Sequence, residues 1–255
     1  MSAAPDSPLA RLWCPSPNCE PRHDGRKPDM LLLHYTGMES AEAALDRLTD
    51  AESKVSAHYL IDEAGRITQM VAEEMRAWHA GQSSWAGETD INSCSIGIEI
   101  HHIGHTEAGL EPFPEAQMQA VEALCRDILS RHAIPPQRVL AHSDVAPARK
   151  QDPGESFDWQ RLHAAGIGHW VTPAPIEPGR TLSVGDEGEA IEALQQALAR
   201  YGYGLEITGT YGRGMENVVT AFQRHFRPAQ VDGIADLSTR LTLDALLAAL
   251  QPAGA

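Results

Sequence analysis

Residues 171–180 read Val-Thr-Pro-Ala-Pro-Ile-Glu-Pro-Gly-Arg, and the prolines there divide the chain into two unlike parts. Proline fixes φ and removes a backbone donor, so neither a helix nor a central strand runs through such a stretch. Before it, short apolar runs alternate with helical patterns; after it, only helical periodicity remains. This order predicts an α/β domain with a central mixed β-sheet flanked by helices, followed by a small three-helix domain. The expected boundaries are an N-terminal extension over 1–28, the sheet domain over 29–170, the linker over 171–180 and the helical unit over 181–251.

The individual signals support that division. Met30-Leu-Leu-Leu33 reads as a buried strand that ends in His34-Tyr-Thr-Gly37. Ala41 to Leu48 has a helical pattern. Ala57–Ile61 and Arg66–Val71, separated by Asp62-Glu-Ala-Gly65, form an expected hairpin. Ser95-Ile-Gly-Ile-Glu-Ile100 alternates, with Ile96, Ile98 and Ile100 on one face and Gly97 and Glu99 on the other. Glu115 to His132 carries an apolar stripe of Met118, Val121, Leu124, Ile128 and Leu129 at helical spacing. Val139-Leu-Ala141 is a second short apolar run that ends in a histidine, His142. In the tail, three stripes define three helices: Ile191, Leu194, Leu198 and Tyr201; Val218, Val219, Phe222 and Phe226; Leu241, Leu246, Leu247 and Leu250.

Charge and composition exclude several roles. A net charge of -15 disfavours nucleic acid as a partner, since phosphate binding needs clustered Lys and Arg. No apolar run is long enough for a transmembrane helix. The first residues carry an early acid and two prolines without an apolar segment, so the expected location is cytoplasmic, with the periplasm or outer membrane as the alternative if a leader has been removed. Cys14, Cys19, Cys94 and Cys125 read as reduced thiols; one closely spaced pair without a second pair is a weak zinc-finger signal. Of the 12 histidines, eleven precede residue 170, which directs the search for chemistry to the first domain.

Within that domain His34 and His142 each follow a short buried strand, where α/β sheets gather their sites. Asp152 follows in Arg149-Lys-Gln-Asp-Pro-Gly154. Two histidines and one carboxylate are a common catalytic zinc set that leaves a fourth position open. Each is also a residue type that occurs singly for ordinary polar reasons, and no HExxH pair is present.

Several motifs together carry a resemblance. Leu33-His-Tyr-Thr36, Trp78-His-Ala-Gly81, Ser95-Ile-Gly-Ile-Glu99, His142-Ser-Asp144 and Lys150-Gln-Asp-Pro-Gly154 are similar to the zinc-dependent N-acetylmuramoyl-L-alanine amidases of the second type, which are related to the peptidoglycan recognition proteins. The similarity runs from about Leu31 to Trp170 and is greatest to the AmpD/AmiD branch, above all its AmiD members. It implies Zn2+ held by His34, His142 and Asp152, Glu99 as general base, and Lys150 steadying the oxyanion. Trp78 and His79 would line the substrate cleft, with Asn92 and its neighbour Ser93 binding peptide amides. His101, two residues after Glu99, would share its face and tune it or touch substrate. The implied partner is peptidoglycan or a (1,6-anhydro)muropeptide, handled by a monomer. The rival reading is a recognition protein that binds muropeptides without cutting them; the full ligand set favours catalysis.

The tail resembles the peptidoglycan-binding helical domain of wall hydrolases, through Leu182-Ser-Val-Gly-Asp-Glu-Gly188, Ala221-Phe-Gln223 and Val231-Asp-Gly-Ile234. All expected site residues precede the linker, so the sheet domain is expected to fold without the tail.

Overall fold

The computed structural model describes residues 4–250. The first three residues of the expected extension and Gln251, the last of the expected helical unit, lie outside it. In chain order come β1 (Leu12–Trp13), β2 (Cys19–Pro21), β3 (Met30–Tyr35), α1 (Ala41–Thr49), β4 (Tyr59–Ile61), β5 (Ile67–Gln69), β6 (Met75–Ala77), α2 (Ile91–Cys94), β7 (Ser95–Ile100), α3 (Glu115–Arg131), β8 (Val139–Ala141), α4 (His142–Val145), α5 (Trp159–Ala164), α6 (Glu189–Tyr201), α7 (Arg213–Phe226) and α8 (Leu237–Ala249).

Six strands make a mixed sheet in the order β1-β5-β4-β7-β3-β8, and β2 and β6 form a separate antiparallel pair. The expected hairpin is the one antiparallel step of the large sheet, β4 against β5. Its turn uses Gly65 at φ +77°, a left-handed conformation that glycine adopts without steric cost. Residues before Met30 are no loose extension. β1 adds an edge strand beside β5, and Asp6 and Gln69 exchange hydrogen bonds of 2.6 Å.

Alternation along β3 sorts its side chains onto two cores. Leu31 and Leu33 join Ile96, Ile98 and Ile100 of β7 and pack under Val121, Leu124 and Ile128 of α3. Met30 and Leu32 face the other way, and with Leu140, Val145 and Trp85 they enter one apolar cluster with Ile191, Leu198, Val218 and Phe222 of the helical tail. The helices start where side chains supply the missing partners: Ser40 accepts from Ala43 N at α1, and Asp236 from Thr239 N at α8.

The helical expectations hold with one local change. In the third helix Leu241 is 47 % exposed, whereas Leu243 is buried and carries the stripe with Leu246 and Leu247. The larger correction concerns autonomy. The tail covers one face of the sheet and shares its core, and even the Pro-rich segment is strapped to α8, where Ala174 N donates to Thr242 Oγ1 and Ser238 Oγ donates to Ala174 O. Among the described residues no helix is long and apolar enough to cross a membrane.

Candidate metal centre and cleft

Parallel pairing of β3 with β7 sets His34 opposite Glu99, and β8 on the other side of β3 delivers His142 just past its end. Both histidines and Asp152 are buried. His34 Nδ1 lies 2.8 Å from His142 Nδ1, and Asp152 Oδ2 lies 3.2 and 3.0 Å from those two nitrogens. Among the described residues this is the one cluster of His, Cys, Asp and Glu with metal-ligand proximity. Cys14 and Cys19 are half-buried free thiols outside it.

The hydrogen bonds behind the cluster decide which nitrogens carry protons. His142 Nε2 donates to Ala80 O at 3.0 Å, since a carbonyl can only accept. Ser95 Oγ donates to Ile91 O, so it accepts from His79 Nε2 at 3.2 Å. His79 Nδ1 is then bare and accepts from His34 Nε2 at 3.0 Å. With Nε2 carrying the proton on each ring, His34 and His142 turn their Nδ1 lone pairs toward each other and toward a carboxylate oxygen. Three converging lone pairs repel unless a cation lies among them, so the donor set fits a metal ion.

The electrostatics agree. Burial, with His142 alongside, lowers the His34 pKa to about 4, so the ring is neutral at neutral pH. Burial alone would raise the Asp152 carboxyl, but His142 and His34 hold it well below the usual carboxylate range. His34 and Asp152 thus present the deprotonated forms that metal binding requires.

Beside the triad is a cavity of about 380 Å³. Glu99, Lys150, Trp78, His79, His142 and Asp152 all line it. Glu99 Oε2 is buried without a hydrogen-bond partner. Burial and the nearby Asp152 push the Glu99 pKa well above the usual range, against the opposing pull of Lys150. Lys150 forms no ion pair among the described residues, so its ammonium is available to the cavity. Trp78 fixes its indole edge by donating to Glu20 Oε1 at 3.2 Å, which leaves the ring at the rim.

Four expected substrate contacts are placed differently. His79 borders the cavity, but both of its ring nitrogens are spent on His34 and Ser95, so the ring orients a metal ligand. Asn92 does not line the cavity; its Oδ1 accepts from His79 N at 3.1 Å and Ala80 N at 2.8 Å and holds the segment that supports both histidines. Ser93 Oγ likewise faces Arg76 and His23 N. His101 does not line the cavity; its Nε2 lies 2.9 Å from Glu63 and its Nδ1 3.2 Å from Thr36 Oγ1. β7 ends at Ile100, and His101 is held by the hairpin turn instead.

In the sequence Asp144 stands out only as part of the His142-Ser-Asp144 motif. The structure shows it fully buried, with Oδ2 accepting from Ala141 N at 2.9 Å and from His225 Nδ1 at 2.6 Å, and Oδ1 from Tyr203 Oη at 2.7 Å. His225, the lone histidine of the tail, was the available signal.

A family model described as N-acetylmuramoyl-L-alanine amidase matches residues 24–155, and one described as a putative peptidoglycan binding domain matches 187–243. The chain is 40% identical over 239 residues to N-acetylmuramoyl-L-alanine amidase AmiD of Escherichia coli, covering 86% of this chain and 82% of that protein. It is 34% identical over 177 residues to 1,6-anhydro-N-acetylmuramyl-L-alanine amidase AmpD of Citrobacter freundii, covering 63% of this chain and 89% of the relative. Among solved structures it is similar to E. coli AmiD in complex with the substrate anhydro-N-acetylmuramic acid-L-Ala-D-gamma-Glu-L-Lys, at 37% identity and a TM-score of 0.76 over 91% of each chain. It is also similar to AmpDh3 of Pseudomonas aeruginosa in complex with anhydromuramic pentapeptide, at 32% identity and a TM-score of 0.74 over 89% of this chain and 94% of that one.

Proposed function

The chain belongs to the N-acetylmuramoyl-L-alanine amidase family, and from that membership we propose that it hydrolyses the amide between the lactyl group of a muramic acid residue and the L-alanine of a peptidoglycan stem peptide. The observation that carries this reading is the convergence of His34 Nδ1, His142 Nδ1 and Asp152 Oδ2 beside a cavity into which Glu99 brings an unpartnered carboxylate.

His34, His142 and Asp152 would hold the zinc of this zinc-dependent family. Bound there, the metal would supply Lewis-acid polarisation of the scissile carbonyl and a lowered pKa for water. Glu99 takes the proton of the attacking water, a role suited to a carboxylate whose basicity is raised by burial and by Asp152. As the carbon–nitrogen bond breaks, the same carboxyl returns that proton to the departing L-alanine nitrogen, so protons balance over the cycle. Lys150 offsets negative charge that develops on the carbonyl oxygen. Trp78 offers an apolar face at the rim for a sugar ring or stem peptide.

The domain limits belong to the same reading: catalysis within 29–170, the 171–180 segment as connector, and 181–251 as a helical unit of the peptidoglycan-binding type. The enzyme acts as a monomer, to be checked by light scattering. Its four thiols are free, which favours a reducing cytoplasm and recycling of small muropeptides. Recovery of the native protein from the periplasm or outer membrane would overturn that placement.

Mass spectrometry of products from an anhydro-muropeptide and from sacculi tests the activity. Release of stem peptide with a free L-alanine amine, lost on chelation and restored by zinc, is expected. Tight binding of the muropeptide with no release would assign the chain to recognition instead.

A further inference from the structure

The tail packs on the face of the sheet that carries His34 and Glu99, and it reaches the two loops that supply the other metal ligands. α4 is a single turn, from His142 to Val145, and its third residue is Asp144. That carboxylate is buried completely and is held by three donors. Ala141 N is local; Tyr203 Oη and His225 Nδ1, at 2.7 and 2.6 Å, belong to the tail. Neither tail side chain is loose. His225 is sandwiched between Trp159 and Phe226, with ring centroids 3.7 and 3.8 Å away. Tyr203 packs edge-on to Trp85 at 4.9 Å.

The preceding residue of α7 grips the second loop. Arg224 donates to Gln151 Oε1 at 3.3 Å and stands 3.5 Å from Glu155. Gln151 lies between Lys150 and Asp152. Glu155 continues through His105, at 3.0 Å, to the Tyr35 hydroxyl at 3.1 Å, on the border of the cleft. The two loops are also tied to each other, since Ser143 N donates to Asp152 O at 3.0 Å. Adjacent residues of one tail helix therefore bracket both loops that carry His142 and Asp152.

We propose that Tyr203, His225 and Arg224 are positioning residues of the metal centre, and that the helical tail is a working part of the active site. The proposal rests on the reading of His34, His142 and Asp152 as the zinc site. Its physical basis is that a buried carboxylate deprived of two of its three donors must be resolvated or shift. Asp144 can shift only by moving the turn that aims His142. Partners bonded directly to metal ligands typically contribute about 10–100-fold to metal affinity, and the loss of this next layer is expected at the lower end of that range.

The test uses the full chain loaded with Zn2+ or Co2+. Tyr203→Phe removes one hydroxyl and keeps the ring. His225→Asn retains a donor near Nδ1, and His225→Ala removes it. Leu194→Ala, in the tail core and outside the hydrogen bonds to Asp144 and Gln151, is the control for general loosening of the tail. Metal affinity by chelator competition, the visible absorption of the Co2+ form and the thermal melt are measured for each. Tyr203→Phe and His225→Ala are expected to lose on the order of 10-fold or more in metal affinity and to alter the Co2+ spectrum, with His225→Asn recovering part of both. Leu194→Ala should lower the melting temperature and leave the spectrum unchanged. Folded Tyr203→Phe and His225→Ala with the affinity and spectrum of the unaltered chain would overturn the proposal alone. An unaltered chain that binds neither metal would overturn the zinc-site reading and this proposal with it.

Discussion

Gly97 of β7 lies against the imidazole of His79, so close that a β-carbon added there would stand 2.5 Å from His79 Nδ1. That nitrogen is the one that accepts from His34 Nε2. The absence of a side chain at Gly97 thus leaves room for the ring that orients a metal ligand. Gly97→Ala is expected to displace His79 and to lower zinc affinity by about 10–100-fold, since lost outer partners of metal-bound histidines cost about that much. Chelator competition on the folded variant measures it. Undiminished affinity would mean that His34 needs no such support.

His142→Ala should leave a chain that retains no zinc and releases no stem peptide. Metal analysis of the dialysed protein and the product assay check both. For the unaltered chain, zinc at about 100 times its dissociation constant should add roughly 2.7 kcal/mol of stability, visible as a melt that falls on chelation. An active, metal-free His142→Ala preparation would remove the ligand assignment.

Glu99→Gln should keep zinc and lose about 10²–10⁴-fold in turnover, because an amide cannot take the proton. The pH dependence has a definite sign. Burial and Asp152 raise the folded-state pKa of Glu99 above its ordinary 4.5. The base is active when ionised, so activity of the unaltered enzyme falls as pH drops through that raised value. For stability of the metal-free chain, the protonated carboxyl favours the fold. That contribution is complete below the unfolded pKa and is lost as pH rises through the folded one. Metal-free Glu99→Gln should therefore melt above the metal-free parent at neutral pH. Equal melts would show that Glu99 is better solvated than its burial implies.

Glu73 shows the opposite sign, far from the cleft. Burial alone would raise its carboxyl, but Arg131, Tyr59 and His132 hold it below the ordinary value, with donors at 2.6, 2.6 and 2.7 Å. Its contribution to stability is present above the unfolded pKa and is lost as pH falls through the depressed one. Glu73→Gln should destabilise by about 1–3 kcal/mol at pH 7, as buried donors lose their acceptor, and by less in acid. Denaturant titrations at two pH values decide it; a loss that does not shrink in acid would refute the ion-pair account.

Truncation after Val171 should fail to give a well-folded sheet domain. It would uncover Met30, Leu32, Leu140, Val145 and Trp85, which now share a core with the tail, and it would strip two donors from Asp144. Loss of near-ultraviolet circular dichroism, or aggregation, is expected. A truncated protein with a sharp melt and bound zinc would restore the picture of an independent domain.

Local pattern was enough to place most elements. The hairpin, β7, α3 and the three tail helices follow from periods of two and 3.6 residues, and each is a short-range property of the chain. The ligand types were also legible, because His34 and His142 end apolar runs and Asp152 lies in a recognisable loop. What the sequence alone did not determine is which groups those residues meet. The parallel register that sets His34 opposite Glu99, the ring of His79 over Gly97, and the diversion of Asn92 and His101 from the cleft all depend on pairings between distant segments. The Pro-rich segment marked a true change of pattern but not a physical separation. A linker reports where secondary structure stops, whereas coupling between the parts depends on which faces remain to be buried. The face of β3 that carries Met30 and Leu32 is covered by the tail, and only the tertiary structure reveals that Tyr203 and His225 reach Asp144 there.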